Sequence, residues 1–125
     1  MISADFSQSE RGRVVLVGSI TAIQYHTGDS MYAATKAGLA HLGRNLAKEW
    51  VRLGINVNTI QPGWVKSEIN AEWFDSDASE GAVLALPRRR VLTLDSLIDP
   101  LLYLCSDASR HVTGTTFTID DGMSL

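Results

Sequence analysis

Tyr32 and Lys36 stand four positions apart in "YAATK", with only Ala33, Ala34 and Thr35 between them. On a helix, residues at that spacing share a face, with Cβ atoms about 5–6 Å apart. An ammonium beside a phenol favours the phenolate, the form that takes up a proton from a substrate hydroxyl. The pair alone is also a common helix face, so its meaning depends on what surrounds it. Ser19 closes the run "RVVLVGS", and Pro62 and Gly63 close the run "INVNTIQPG". Ligands of open parallel sheets bind beyond the carboxyl ends of the strands. If both runs are parallel strands, Ser19 and the Pro62-Gly63 turn reach the same rim as Tyr32. A hydroxyl at Ser19 is then placed to donate to a substrate oxygen. The simpler alternatives are a loop hydroxyl closing a turn and a plain strand terminator.

The elements needed for that convergence are readable. Residues 13–20 form a β-branched run bounded by Gly12 and by Gly18-Ser19, the pattern of a buried strand. Asp29 or Ser30 is positioned to cap a helix with apolar residues at Leu39, Leu42, Leu46, Trp50 and Leu53. Gly54 occupies the left-handed closing position. A second strand is expected over 55–63, which makes a right-handed parallel crossover. The stretch 66–86 has a weaker pattern. "EINAEWF" is apolar on one side, and "DSDASEGA" suits an exposed, mobile turn. Thr93 or Asp95 starts a further helix to about Ser106, with Pro100 expected to bend it or delay its start. A turn at Gly114 leads to a third strand over 115–120.

The sum is an α/β unit of about three parallel strands with flanking helices, a small sheet that leaves an apolar edge uncovered. We read residues 1–125 as part of a single domain, with no repeat and no linker.

Composition narrows the function. The 125 residues are 45% hydrophobic and 20% charged, with a formal net charge of −3. No basic stripe runs along the chain, which argues against nucleic acid as a partner. The run 88–90 is three arginines after Pro87, read as a solvated turn with no role. Cys105 lies in "LLYLCSDA", where a buried small hydrophobe is expected and no disulfide framework exists. The histidines at 26, 41 and 111 lack metal-ligand spacing, so no metal site is expected. No apolar run is long enough to span a bilayer, and "MISADFSQSERG" lacks a secretory layout. A cytoplasmic setting is the default expectation.

In register, these segments resemble the short-chain dehydrogenase/reductase family over nearly the whole chain. "GRVVLVGSITA" is similar to the family's strand ending in the catalytic serine, and Ser19 precedes Tyr32 by the family's usual thirteen residues. "YAATK" matches Tyr-x-x-x-Lys. "LAKEWVRLGINVNTIQPGWVKSEI" and "ASRHVTGTTFTIDDG" resemble the segments that follow. The resemblance implies the carboxyl-terminal part of a Rossmann-like, doubly wound domain lacking its amino-terminal half. It implies hydride transfer between NAD or NADP and a small-molecule alcohol or carbonyl. Tyr32 is implied as the acid/base, Lys36 as its modulator and a partner of the nicotinamide ribose, and Ser19 as the holder of the substrate oxygen. The backbone at Val65 is implied to meet the carboxamide, with the Ser67 hydroxyl in support and Pro62 and Gly63 shaping the loop. A homo-oligomer, dimer or tetramer, is implied for the full-length form.

The departures are specific. No GxGxxG occurs, the residue that chooses NAD or NADP has no counterpart, and the family's additional catalytic Asn would precede Met1. The chain opens on what resembles the tail of a preceding helix. The 125-residue chain alone is therefore expected to bind cofactor weakly and to be inactive. Two further readings stand beside this one. A non-catalytic association module of the same fold would use the exposed strand edge for pairing. A sugar-nucleotide epimerase shares Tyr-x-x-x-Lys, but "PGWVKS" and "VTGTTFTIDDG" fit it poorly. The substrate pocket is expected between "AIQYHTG" and 66–86, with Trp64, Trp73 and Phe74 as packing residues or substrate contacts.

Overall fold

A computed structural model describes residues 12–125. The opening stretch, including the suggested helix tail and the segment without a secretory layout, lies outside the described residues. Strand β1 (Gly12–Val17) leads through a 3-10 turn (Ile20–Ala22) to helix α1 (Ser30–Trp50) and strand β2 (Ile55–Pro62). A short strand β3 (Val65–Lys66), helices α2 (Ala71–Phe74) and α3 (Asp77–Leu84), and strand β4 (Leu92–Thr93) follow. Helix α4 (Asp95–Cys105), a 3-10 turn (Asp107–Ser109) and strand β5 (Thr116–Ile119) close the unit.

The main sheet is parallel in the order β1-β2-β5. Pairing runs from Gly12 opposite Ile55 to Val17 opposite Ile60, and from Thr59 opposite Thr116 to Pro62 opposite Ile119. With a neighbour on each side, β2 is buried at all eight positions. Its polar residues are therefore satisfied internally, as burial demands. Asn56 Nδ2 donates to the Ser109 and Arg110 carbonyls. Asn58 donates to the Val112 carbonyl at 2.9 Å and accepts from the Thr115 N–H at 3.1 Å. The two asparagines thus hold the segment 109–115 against the strand that β5 must join.

Helix α1 reaches the sheet through small residues. Its buried positions are Gly43 and Ala47, whereas Leu42 and Leu53 of the expected apolar stripe are largely exposed. A Cβ on Gly43 would stand 2.7 Å from Thr59 Oγ1 and 3.0 Å from Leu16 Cδ1, so the helix lies too close for a larger residue. Leu46 and Trp50 flank this contact and pack on Ala47, Ile55 and Val57. Val14 and Leu16 face the same cluster. Arg13, of opposite parity along the strand, donates from Nε to the Ser106 carbonyl just beyond α4. Side chains alternate across a strand, so α1 and α4 cover opposite faces, and the sheet is doubly wound.

Other expectations change. "DSDASEGA" is not a turn: most of it lies in α3, where Ser79 is buried and donates to the Phe74 and Ser76 carbonyls. Small residues and an early acidic pair, Asp77 and Glu80, suit a helix start as well as a loop. Helix α4 begins at Asp95 with Pro100 inside it, so the proline does not delay the start. Cys105 is exposed rather than buried. It lies one helical turn or two beyond Ile98, Leu101 and Leu102, which are also exposed, while Leu104 on the other side is fully buried. The second parallel pair, Val65 opposite Leu92, is not legible in strands of two residues.

Candidate active site

Beyond the carboxyl ends of β1 and β2 lies an open cavity of about 540 Å³. Ser19, Tyr32, Pro62, Gly63, Val65 and Ser67 all line it. Lys36 does not line it. Its Nζ donates to the Val17 carbonyl at 3.0 Å and stands 5.5 Å from the centroid of the Tyr32 ring. The ammonium therefore ties the first turns of α1 to the end of β1, beside the ring.

Ser19 has extended backbone angles and caps the short 3-10 turn. Its Oγ accepts from the Thr21 N–H at 3.2 Å and from the Thr21 hydroxyl at 3.0 Å. A hydroxyl carries two acceptor sites and one donor. With both acceptor sites occupied, the Ser19 O–H is the part left for an oxygen in the cavity. Tyr32 is half exposed, at 50%, and its ring forms part of the same wall.

The Pro62-Gly63 turn is held at close quarters. Gly63 donates to the Ile119 carbonyl at 2.9 Å. A Cβ there would lie 2.8 Å from Met123 Sδ and 2.9 Å from Asp120 Cα, so only glycine fits. Asp120 in turn organises the closing residues, accepting from Gly122 N–H, from Ser124 N–H and from the Ser124 hydroxyl. Met123 completes the support: its carbonyl accepts from Gln24 Nε2, and its sulfur from Trp64 N–H. Ile20, Leu92 and Met123 form a small core directly beneath this rim.

The cavity also takes in residues beyond the expected rim. Asn70 accepts from Ser67 N–H at 2.7 Å and donates to the Val65 carbonyl at 2.9 Å, fixing the loop that the resemblance assigns to cofactor. The spacing Ser-x-x-Asn is the one hint of that turn. Leu94 and Leu97 come from the start of α4. Trp64, Trp73 and Phe74 line the cavity as a ring cluster, with Trp73 against Phe74 at 4.9 Å and 70°.

The 88–90 turn is exposed, as expected, but two of its arginines have a structural partner. Arg88 Nε and Arg90 Nε lie 3.0 and 2.7 Å from the two carboxylate oxygens of Asp121. They tie the 88–90 turn to the closing turn. The hydrogen bond from Arg90, aided by the charges of both arginines, holds the Asp121 carboxyl below its ordinary range against an opposing effect of burial. Among the described residues, no group of three or more His, Cys, Asp or Glu side chains is placed to hold a metal. No described helix is long and apolar enough to cross a membrane.

A parallel doubly wound sheet with a cavity beyond its strand ends defines a Rossmann-like α/β unit, and the chain belongs to the short-chain dehydrogenase/reductase family. Residues 3–124 match the family model described as enoyl-(acyl carrier protein) reductase. Among relatives, protein FixR of Bradyrhizobium diazoefficiens is 38% identical over 122 residues, covering 97% of this chain and 42% of its own. The 3-oxoacyl-[acyl-carrier-protein] reductase FabG of Escherichia coli is 29% identical over 118 residues, covering 94% and 48%. A gluconate 5-dehydrogenase from Burkholderia cenocepacia, solved with NADP and tartrate, superposes with a TM-score of 0.87 at 26% identity, covering 96% of this chain and 48% of that one. The chain thus spans about half the length of the relatives it matches.

The residues present suit the nicotinamide end of a dinucleotide. A glycine-tight turn and the Ser67 hydroxyl line the cavity there, with the Lys36 ammonium outside it at the end of β1. The described residues contain no Gly-rich phosphate loop.

Proposed function

We propose that this chain carries the catalytic face of an NAD(P)-dependent oxidoreductase that interconverts an alcohol and a carbonyl. The observation that supports it best is the convergence of Ser19 and Tyr32 on one cavity with Lys36 anchored at the end of β1 beside the Tyr32 ring. The nicotinamide, when bound, supplies or accepts the hydride. Tyr32 gives a proton to the carbonyl oxygen in reduction and takes it from the hydroxyl in oxidation. Ser19 donates its O–H to that oxygen and stabilises the charge it gains. Lys36, with one of its three N–H donors on the Val17 carbonyl, keeps the others for a ribose hydroxyl. Pro62, Gly63, Val65 and Ser67 hold the nicotinamide end of the cofactor.

The test is Tyr32→Phe in the full-length protein, assayed with simple alcohols and both dinucleotides. Lost turnover with nearly unchanged cofactor affinity supports the reading, and retained turnover removes Tyr32 from the mechanism. The 125-residue segment alone should bind NAD(H) and NADP(H) weakly, because its described residues offer nothing for the pyrophosphate. Micromolar affinity for either would overturn that part.

The exposed apolar stripe of α4, with Ile98, Leu101 and Leu102, favours a second reading that is compatible with the first: association with another copy of the chain. Size-exclusion chromatography of an Ile98→Asp, Leu102→Asp variant, expected to elute later than the parent, tests it.

A further inference from the structure

We infer that the cavity takes an uncharged alcohol or carbonyl compound with a ring or branched hydrocarbon body, seated against Trp64, Trp73 and Phe74, and that it discriminates against carboxylate-bearing substrates. This rests on the active site proposed above.

The three rings form a closed triangle. Trp73 meets Phe74 at 4.9 Å and 70°, Trp64 meets Trp73 at 6.1 Å and 74°, and Trp64 meets Phe74 at 6.3 Å and 51°. Edge-to-face packing of this kind fixes each ring by its neighbours. The wall is therefore preorganised, and Trp73 remains 45% exposed even though its partners are to hand. Leu94 and Leu97 extend the apolar surface from the start of α4. A rigid hydrocarbon body gains the most from such a wall, because it buries area against fixed rings without losing rotamer freedom of its own.

Charge points the same way. None of the described residues lining the cavity is charged; its polar members are hydroxyl, amide, indole and backbone groups. The cations nearby are engaged: Lys36 by the Val17 carbonyl, Lys66 by Asp75, and Arg88 and Arg90 by Asp121. His26 is exposed and does not line the cavity, with its ring centroid 6.5 Å from that of Trp64 and its Nε2 3.3 Å from Gln24 Oε1. A carboxylate seated against this wall would shed part of its hydration and find no cationic partner among the described lining residues, an unfavourable exchange. An uncharged ketone needs only the donors at Ser19 and Tyr32. The volume, about 540 Å³, accommodates a small molecule of this class.

The experiment measures binding apart from turnover. Saturation-transfer NMR on the full-length protein with NAD+ or NADP+ present would use cyclohexanol and camphor as apolar probes, and lactate and gluconate as charged ones. The apolar probes should bind at least roughly tenfold more tightly, and Trp73→Ala should weaken them by a similar factor while Trp73→Phe largely restores them. Trp73→Arg, at a half-exposed position, should shift preference toward lactate and gluconate. Equal or tighter binding of the carboxylates by the parent, no binding by any probe, or indifference of camphor to a folded Trp73→Ala variant would each overturn the inference. Oxidation of the bound alcohol is scored separately. Binding of cyclohexanol without turnover removes the proposed activity but supports this pocket assignment, whereas turnover of gluconate but not cyclohexanol does the reverse.

Discussion

Lys36 Nζ bonds the carbonyl of Val17, the last residue of β1, at 3.0 Å while standing 5.5 Å from the Tyr32 ring centroid. One side chain thus both fixes the start of α1 on the sheet and places a positive charge beside the phenol. The two effects belong to one unit, so substitutions within it should not add. We predict that Tyr32→Phe and Lys36→Met each lower kcat by roughly 10²–10⁴-fold. The double variant should be little worse than the poorer single one. Steady-state kinetics of the three variants checks this, and a fully multiplicative loss would show that the residues act separately.

Gly63 sits where a methyl group has no room. Met123 Sδ and the Asp120 backbone lie within 2.9 Å of its would-be Cβ. Gly63→Ala must push the closing turn away from the sheet, since the Asp120 Cα cannot rotate aside as a side-chain tip can. Overpacking of this kind costs about 1–3 kcal/mol. Urea unfolding should show that loss. Cofactor affinity should fall with it, because the displaced turn also carries the sulfur that accepts from Trp64 N–H.

Much of the rim is legible in the amino-acid sequence because its residues mark ends of elements. Ser19 follows a β-branched run, Pro62 and Gly63 terminate another, and Gly54, with φ of 70°, closes the helix region at the position expected for a left-handed residue. What escapes depends on contacts that the local pattern does not specify, most of them between distant segments. The stripe of leucines on α1 suggests one packing face, but the sheet selects Gly43 and Ala47, which permit the closest approach. The pattern "DSDASEGA" is equally consistent with a turn or a helix, and Ser79 decides it only by finding the Phe74 and Ser76 carbonyls. The 88–90 run is solvated as it looks, but its pairing has no local signal because its partner, Asp121, is some thirty residues away in sequence. For the same reason Leu94 and Leu97 have no local signal, whereas the Tyr32 and Lys36 pair does, and Asn70 has only its Ser-x-x-Asn spacing.

The Asp121 carboxyl titrates below its ordinary range, chiefly because Arg90 hydrogen-bonds its ionised form. A depressed folded value means that the ion pair stabilises the protein at pH above the unfolded carboxylate range and loses that contribution as pH falls through the lower folded value. Arg90 is shifted up by the same contact and stays charged throughout. We therefore expect Asp121→Asn to lower Tm modestly at neutral pH, with the difference from the parent vanishing in acid. Thermal melts across that range decide it. A difference that grows on acidification would mean that the arginines are held by other groups.

Asn70 offers the cleanest separation of loop geometry from chemistry. Its Oδ1 accepts from Ser67 N–H and its Nδ2 donates to the Val65 carbonyl, so a single amide bridges the two loop residues expected to face the nicotinamide. Asn70→Asp keeps the first bond and replaces the second with two acceptors facing each other at 2.9 Å. Asn70→Ala removes both. Leaving such partners unsatisfied costs about 1–3 kcal/mol, but the β3 and β4 pairing, Val65 opposite Leu92, still anchors the outer side of the loop. Both variants should fold. The KM for the dinucleotide should rise in each, while kcat changes less, because Ser19 and Tyr32 are carried by other elements. Asn70→Gln should not rescue, since a longer side chain cannot span the same two atoms. Measuring kcat and KM for the three variants tests the assignment. A fall in kcat at constant KM would place Asn70 at the reacting atoms instead of in the support of the loop.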